Sequence, residues 1–229
     1  SGTATIVFGD TGTWSGTGVL SNNVTINTAG TLTVSGTVAH AAGTITYTAG
    51  TVVTTGSTLQ LTGATITLNT APMVWDNITI TVAQTTTINS LLEATGSLQL
   101  PDASVTFNGS APWKVGTLTV VTSVAALRTF TFAAGLEYII TAGFVSTQGG
   151  MTSVDRCAYK SGTAGTKAKL TLLAGATQDV GFADPTDIDS NNGQKIFTFH
   201  GTITTTFNWT NDVTEMGTNL SSPEIYYIS

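Results

Sequence analysis

Four aspartates, Asp179, Asp184, Asp187 and Asp189, fall within eleven residues, the densest gathering of carboxylates in the chain. Two carboxylates flanking a bond are what glycoside cleavage requires, one as acid and one as base or nucleophile. The same stretch reads as a calcium loop, with Asp187, Asp189 and Asn191 alternating as oxygen ligands and Gly193 allowing the bend. It departs from the EF-hand pattern, because Asn192 stands where Gly is required and Thr198 where a bidentate Glu is required. Asp, Ser, Asn and Gly are also turn formers, since their side chains bond their own backbone or tolerate positive φ. We read the stretch as a corner loop without catalysis, with Asp187, Asp189 and Asn191 as candidate calcium ligands and no other cofactor.

The remaining reactive side chains are sparse. His40 and His200 are far apart in sequence, neither has metal-ligand spacing with Cys157, and no Gly-x-Ser-x-Gly elbow is present. Both histidines are expected at the surface or at corners. The single cysteine rules out an intrachain disulfide framework and is expected to be a small buried hydrophobe.

The elements that must carry these residues are legible in a repeat. Val24, Ile45 and Ile66 form one apolar column, Leu32, Val53 and Val74 a second, and Val38, Leu59 and Ile80 a third, each stepping by 21 residues. Within the short runs apolar and polar residues alternate, as in Thr44-Ile45-Thr46 and Thr65-Ile66-Thr67, the period of a half-buried strand. Three short strands per repeat describe one coil of a β-solenoid, whose stacked coils bury the columns in a continuous core. The expected fold is therefore all-β, a single-stranded parallel β-helix of roughly seven to nine coils. An antiparallel β-sandwich is the alternative, since short strands with Gly-rich turns also fit it.

Composition narrows the function classes. Charged residues make up 9% of the 229-residue chain, against about 25% in an ordinary globular protein. Residues 1–113 contain no Lys or Arg, and the net charge is −6. Phosphate contacts need cations that the first half lacks, so nucleic acid is excluded as a partner. No run of 18 apolar residues marks a membrane span. Thr, Ser, Asn and Gly take the place of charge on the surface.

Along the chain, residues 1–22 read as an irregular first coil or cap, and residues 23–115 as regular Thr/Gly-rich coils with glycines at the corners. Leu91, Leu92, Glu93 and Ala94 could form one short helical turn. Residues 116–210 carry longer, bulkier strands, and 211–229 form an extension ending in Ile225, Tyr226, Tyr227 and Ile228. That apolar strand is expected to be ordered and buried, at a contact between subunits. If Val24, Ile45 and Ile66 point inward, then Thr25, Thr44, Thr46, Thr65 and Thr67 point outward as an array of hydroxyls and methyls. With Trp75 and Trp113 they are the candidate partner surface.

Residues 127–211 resemble a β-helical segment of structural and receptor-binding proteins of tailed phages and of bacterial surface proteins. The resemblance lies in the order of parts: Thr129-Phe130-Thr131-Phe132, a Tyr138 strand, Gly165-Thr166-Lys167-Ala168-Lys169-Leu170, Asp187-Ile188-Asp189-Ser190 in a Gly-containing turn, and Asn208-Trp209. It implies a pectin-lyase-like parallel β-helix and carries over no catalytic residues. The expected function is a non-enzymatic virion structural protein, either a tail spike, fibre or receptor-binding element or a capsid decoration protein. Its expected partners are further copies in a trimer, other virion proteins and a host-surface glycan, on a virion or extracellular surface. The alternative is a bacterial adhesin that binds glycans. A polysaccharide-degrading β-helix and an ice-binding solenoid, whose flat Thr face the outward array resembles, stand behind it.

Overall fold

The computed structural model describes residues 4–122, 127–148, 156–198, 203–204, 206 and 208–211. Among these the chain is all-β, with parallel strands stacked as a β-solenoid of about eight turns. One ten-stranded sheet runs in the order Thr5–Phe8, Asn23–Val34, Gly43–Val53, Thr65–Asn69, Gln84–Ile88, Val105–Gly109, Arg128–Phe132, Cys157–Ser161 and Ala183–Thr186, with Gly12–Trp14 beside Asn23–Val34. An eleven-stranded sheet stacks Val19–Leu20, Thr37–His40, Thr58–Leu61, Asn77–Ile80, Leu92–Leu100, Trp113–Thr122, Glu137–Gln148, Ala168–Leu172 and Ile188–Asp189, with two further strands at its side. Every ladder between these strands is parallel, which overturns the sandwich alternative.

The longest strands bend around corners. Register shifts interrupt the pairing of Asn23–Val34 with Gly43–Val53 between Ile26 and Thr31, and that of Leu92–Leu100 with Trp113–Thr122 between Ala94 and Ser97. Each coil thus presents three rows of strand. The first contains Val24 and Ile26, the second Leu92 and Ala94, and the third Val38 and His40. Glycine is required where successive coils touch at these corners. A Cβ on Gly63 would lie 1.5 Å from the carbonyl oxygen of Ala41 in the coil below. The segment with Leu92 and Ala94, expected as a helical turn, is strand, because both side chains enter the core and pair with Trp113 and Val115.

The stacking register corrects the sequence columns. Val24 lies beside Ile45, but Ile45 lies beside Leu68, and Ile66 stands between Gly43 and Thr86. In the third row Val38 and Leu59 are followed by Ile78, while Ile80 lies beside Leu61. A two-residue slip keeps every side chain on its own face, so these residues remain buried in the shifted register. The second column fails differently. Leu32 pairs with Val52, Val53 faces outward opposite Thr33, and Val74 faces outward beside the inward Trp75. There the expected repeat is off by one residue, which reverses the face.

Coils widen along the rod. In the first row the pairs Thr86 with Phe107, Phe107 with Phe132, and Phe132 with Ser161 step by 21, 25 and 29 residues. The core changes in parallel, from Val24, Ile26, Leu32, Ile45, Leu59 and Leu68 to rings packed on rings. Phe107 contacts Trp113, Phe132 and Tyr138 at centroid separations of 6.0, 5.8 and 6.3 Å. Tyr159 contacts Phe130, Phe144 and Trp209 at 5.5, 5.6 and 6.0 Å. The spacing from first row to second is unchanged, Thr86 to Leu92, Phe107 to Trp113 and Phe132 to Tyr138, so the added residues lie in the connection from the third row back to the first.

Candidate functional site

The outward side of the first row is a hydroxyl array with strict register. Thr65, Thr85, Thr106 and Thr131 stand side by side on successive coils. Two residues along the same strands, Asn23, Thr44, Thr67, Thr87 and Asn108 form a second column. Thr25 pairs with Thr46, which pairs with Asn69. Spacing is about 4.8 Å between coils and about 6.6 Å along a strand. All five threonines expected at this surface, Thr25, Thr44, Thr46, Thr65 and Thr67, therefore lie on one face, half-buried by their ladder neighbours or exposed. Sequence reasoning missed Thr85, Thr87, Thr106 and Thr131. In Thr85-Thr86-Thr87 the inward residue is itself a threonine, fully buried, so the apolar marker of the alternation is missing. Gln84 donates to the Thr86 hydroxyl inside the core, which lets polar residues occupy this rung.

The third row repeats the pattern with amides. Thr37, Thr58, Asn77, Ser97 and Thr117 form one outward column, and Ala39, Gln60, Thr79, Gln99 and Thr119 the other. The Asn77 side-chain oxygen accepts from the Ser97 amide at 3.0 Å and its hydroxyl at 3.1 Å. Neither row carries a charged side chain at these positions, and the first row meets charge only from Arg128 onward, where Lys160 stands beside Thr131 and Asp184 beside Ala158.

Charge concentrates on the second row and in the wide coils, and it is locally satisfied. Lys114 lies 3.0 Å from Glu93, Arg128 2.7 Å from Asp102, and Arg156 3.0 Å from Asp184. Glu137 accepts from the Asn192 side chain at 2.9 Å and from the Thr171 hydroxyl at 2.7 Å. These bonds, with Lys169 nearby and against a smaller effect of burial, hold its pKa below the ordinary carboxylate value.

The aspartates that are dense in sequence do not act together. Asp184 is paired with Arg156, and Asp187 accepts from the Gly165 amide at 2.9 Å. Asp189 accepts from the Asn191 amide at 2.9 Å, closing its own turn. Among the described residues no group of three or more His, Cys, Asp or Glu side chains is placed to hold a metal ion. Asp187 and Asp189 thus accept from backbone amides, Asp189 within the turn that carries Asn191.

Trp75 and Trp113, expected on the partner surface, are corrected. Both are fully buried, because Trp75 pairs with Ala94 and Trp113 with Leu92 on the inward side of the second row. Neither offers a ring for a glycan to stack on. His40 is corrected as well. It sits inward in the third row between Leu20 and Leu61, completely buried. Cys157 is buried next to Arg128 and Ala183 in the ladder. His200 and the strand of Ile225, Tyr226, Tyr227 and Ile228 lie outside the described residues. No known family, curated protein or solved structure matches this chain.

Proposed function

We propose that this chain is a non-enzymatic structural protein of a tailed-phage virion, a spike, fibre or receptor-binding element or a capsid decoration protein. The observation that carries the reading is the pair of uncharged outward rows, made of hydroxyls and amides in register over successive coils. Such faces are flat and rigid, and they bury without stranding a charge, which suits packing against other copies or a lattice. A three-sided rod packs about a threefold axis, so a trimer is the expected assembly. Asp184, Asp187 and Asp189 are each engaged with a different cation or backbone group, which weakens the support for a polysaccharide-cleaving groove. The adhesin alternative loses its aromatic platform with the burial of Trp75 and Trp113.

Immunogold electron microscopy of the source culture tests the proposal. Label on virus particles is expected, and its position on head or tail chooses between decoration and receptor binding. Label on cell surfaces with clean particles would replace the proposal by the adhesin reading. A second reading, water ordering, has one observation in its favour: Thr65, Thr85, Thr106 and Thr131 extend the hydroxyl array beyond the coils where the sequence repeat is regular. Thermal hysteresis of a dilute solution would promote it, and freezing at the buffer's own point would remove it.

A further inference from the structure

His40 is the one imidazole among the described residues, and its position is unusual for a titratable group. It lies in an inward column whose members as far as Val120 are otherwise Leu20, Leu61, Ile80 and Leu100, the next polar residue being Ser146 in the wide coils. Its side chain is completely buried, and neither ring nitrogen makes a hydrogen bond of good geometry. The strands packed around it, Val19–Leu20, Thr58–Leu61, Asn23–Val34 and Gly43–Val53, carry no Asp, Glu, Lys or Arg. Their one titratable side chain is Tyr47, whose hydroxyl donates to the Gly50 carbonyl at 2.7 Å. Asp10 and Asp76, the nearest acids in sequence, are not on these strands. A proton on His40 would therefore place a cation in apolar surroundings with no counter-charge. A buried leucine would fit the column and leave no polar atom unpaired.

We propose that His40 is an acid-sensitive latch on the narrow coils: protonation expels the imidazole from the core and opens the stack around it, while the wide aromatic coils stay folded. Solenoid coils touch only their neighbours, so one coil can open without the far end following. Burial lowers the His40 pKa below its ordinary value of 6.5, with the Gly43 backbone opposing in part. The sign follows from linkage. Above that value both folded and unfolded states are neutral and stability is constant. Below it the unfolded state takes up a proton that the folded state refuses, so stability falls with pH until the folded imidazole titrates.

Amide hydrogen exchange at pH 7.5 and pH 5.5, corrected for intrinsic chemical exchange, tests the latch on the full chain. Strands Val19–Leu20, Thr37–His40 and Thr58–Leu61 are expected to lose about tenfold in protection at pH 5.5, one unit below the unfolded pKa, while Arg128–Phe132 and Cys157–Ser161 keep theirs. In His40→Leu the loss at the narrow coils is expected to vanish. Equal loss in His40→Leu, or unchanged protection in the wild type, would overturn the proposal. If His40→Leu does not fold, the NMR titration of the wild-type His40 ring decides instead. A midpoint well below 6.5 supports the latch, and one at or above 6.5 overturns it.

Discussion

The coils up to Leu100 and those from Val105 onward solve one packing problem at two sizes. The narrow coils fill most of their interior with Val, Ile and Leu, with Trp14 and Trp75 meeting edge-on among them. The wide coils hold stacked and edge-on rings around Phe107, Phe132, Tyr138 and Tyr159, and their longer connections carry the ion pairs of Arg128 and Arg156. The two regions differ in the connection from the third row back to the first, which lengthens in the wide coils, and Arg128 and Arg156 enter where it ends. The first and third rows of the narrow coils carry no Asp, Glu, Lys or Arg, and the first row of the wide coils does.

The comparison can be broken by core truncation, where the largest effect is expected. Trp113→Ala removes a fully buried ring from the aromatic stack and should cost about 3–5 kcal/mol in chemical denaturation. Ile66→Val in a narrow coil should cost about 0.5–1.5 kcal/mol. A loss at Trp113 no larger than that at Ile66 would mean that the aromatic stack does not anchor the wide coils.

Corner geometry gives the next largest effect. Gly63→Ala sets a methyl against the Ala41 carbonyl of the adjacent coil, and separating the coils should cost about 1–3 kcal/mol. Gly135, at φ +78° in a wide-coil turn, has nothing within 4 Å of a Cβ. Gly135→Ala should lose only the left-handed penalty, about 1 kcal/mol. Thermal melts of both variants would rank them.

Acid titration sharpens the contrast further. Glu137 has its folded pKa held below the ordinary 4.5, so its contribution is complete above that value and is lost as pH falls through the folded pKa. In the wide coils, Glu137→Gln should flatten the stability profile below pH 4.5 and leave the region near pH 6 unchanged. The narrow coils are expected to respond near pH 6 through His40. The smallest effect belongs to Lys114→Ala, which breaks an exposed pair with Glu93 and should change stability by no more than about 1 kcal/mol.

Much of this architecture is legible in the sequence, for a definite reason. Strand alternation survives any two-residue slip, so Val24, Ile45, Ile66, Val38, Leu59 and Ile80 were placed inward although the ladder pairs several of them differently. Val53 faces outward because the corner after Asn27 pairs Leu32 with Val52, one residue short of the repeat, and Val74, a further repeat on, falls beside the inward Trp75; one residue reverses the face. Trp75 and Trp113 were misplaced because a tryptophan at a corner carries no sign of the side it takes. Thr86 and His40 occupy inward positions with polar side chains, so no hydrophobic pattern marks them. The aspartates from 179 to 189 are close in sequence, yet the coil path puts Asp179 on the third row, Asp184 on the first and Asp189 on the second.

We propose that the neutral face of the first row is a contact surface within a particle. The direct measurement is incorporation of Thr85→Lys/Thr106→Lys into purified particles, beside a melting curve of the isolated variant. Two lysines on adjacent coils put like charges on that face without entering the core. The account predicts an unchanged melt and loss of incorporation. Incorporation equal to wild type, with the fold intact, would contradict it.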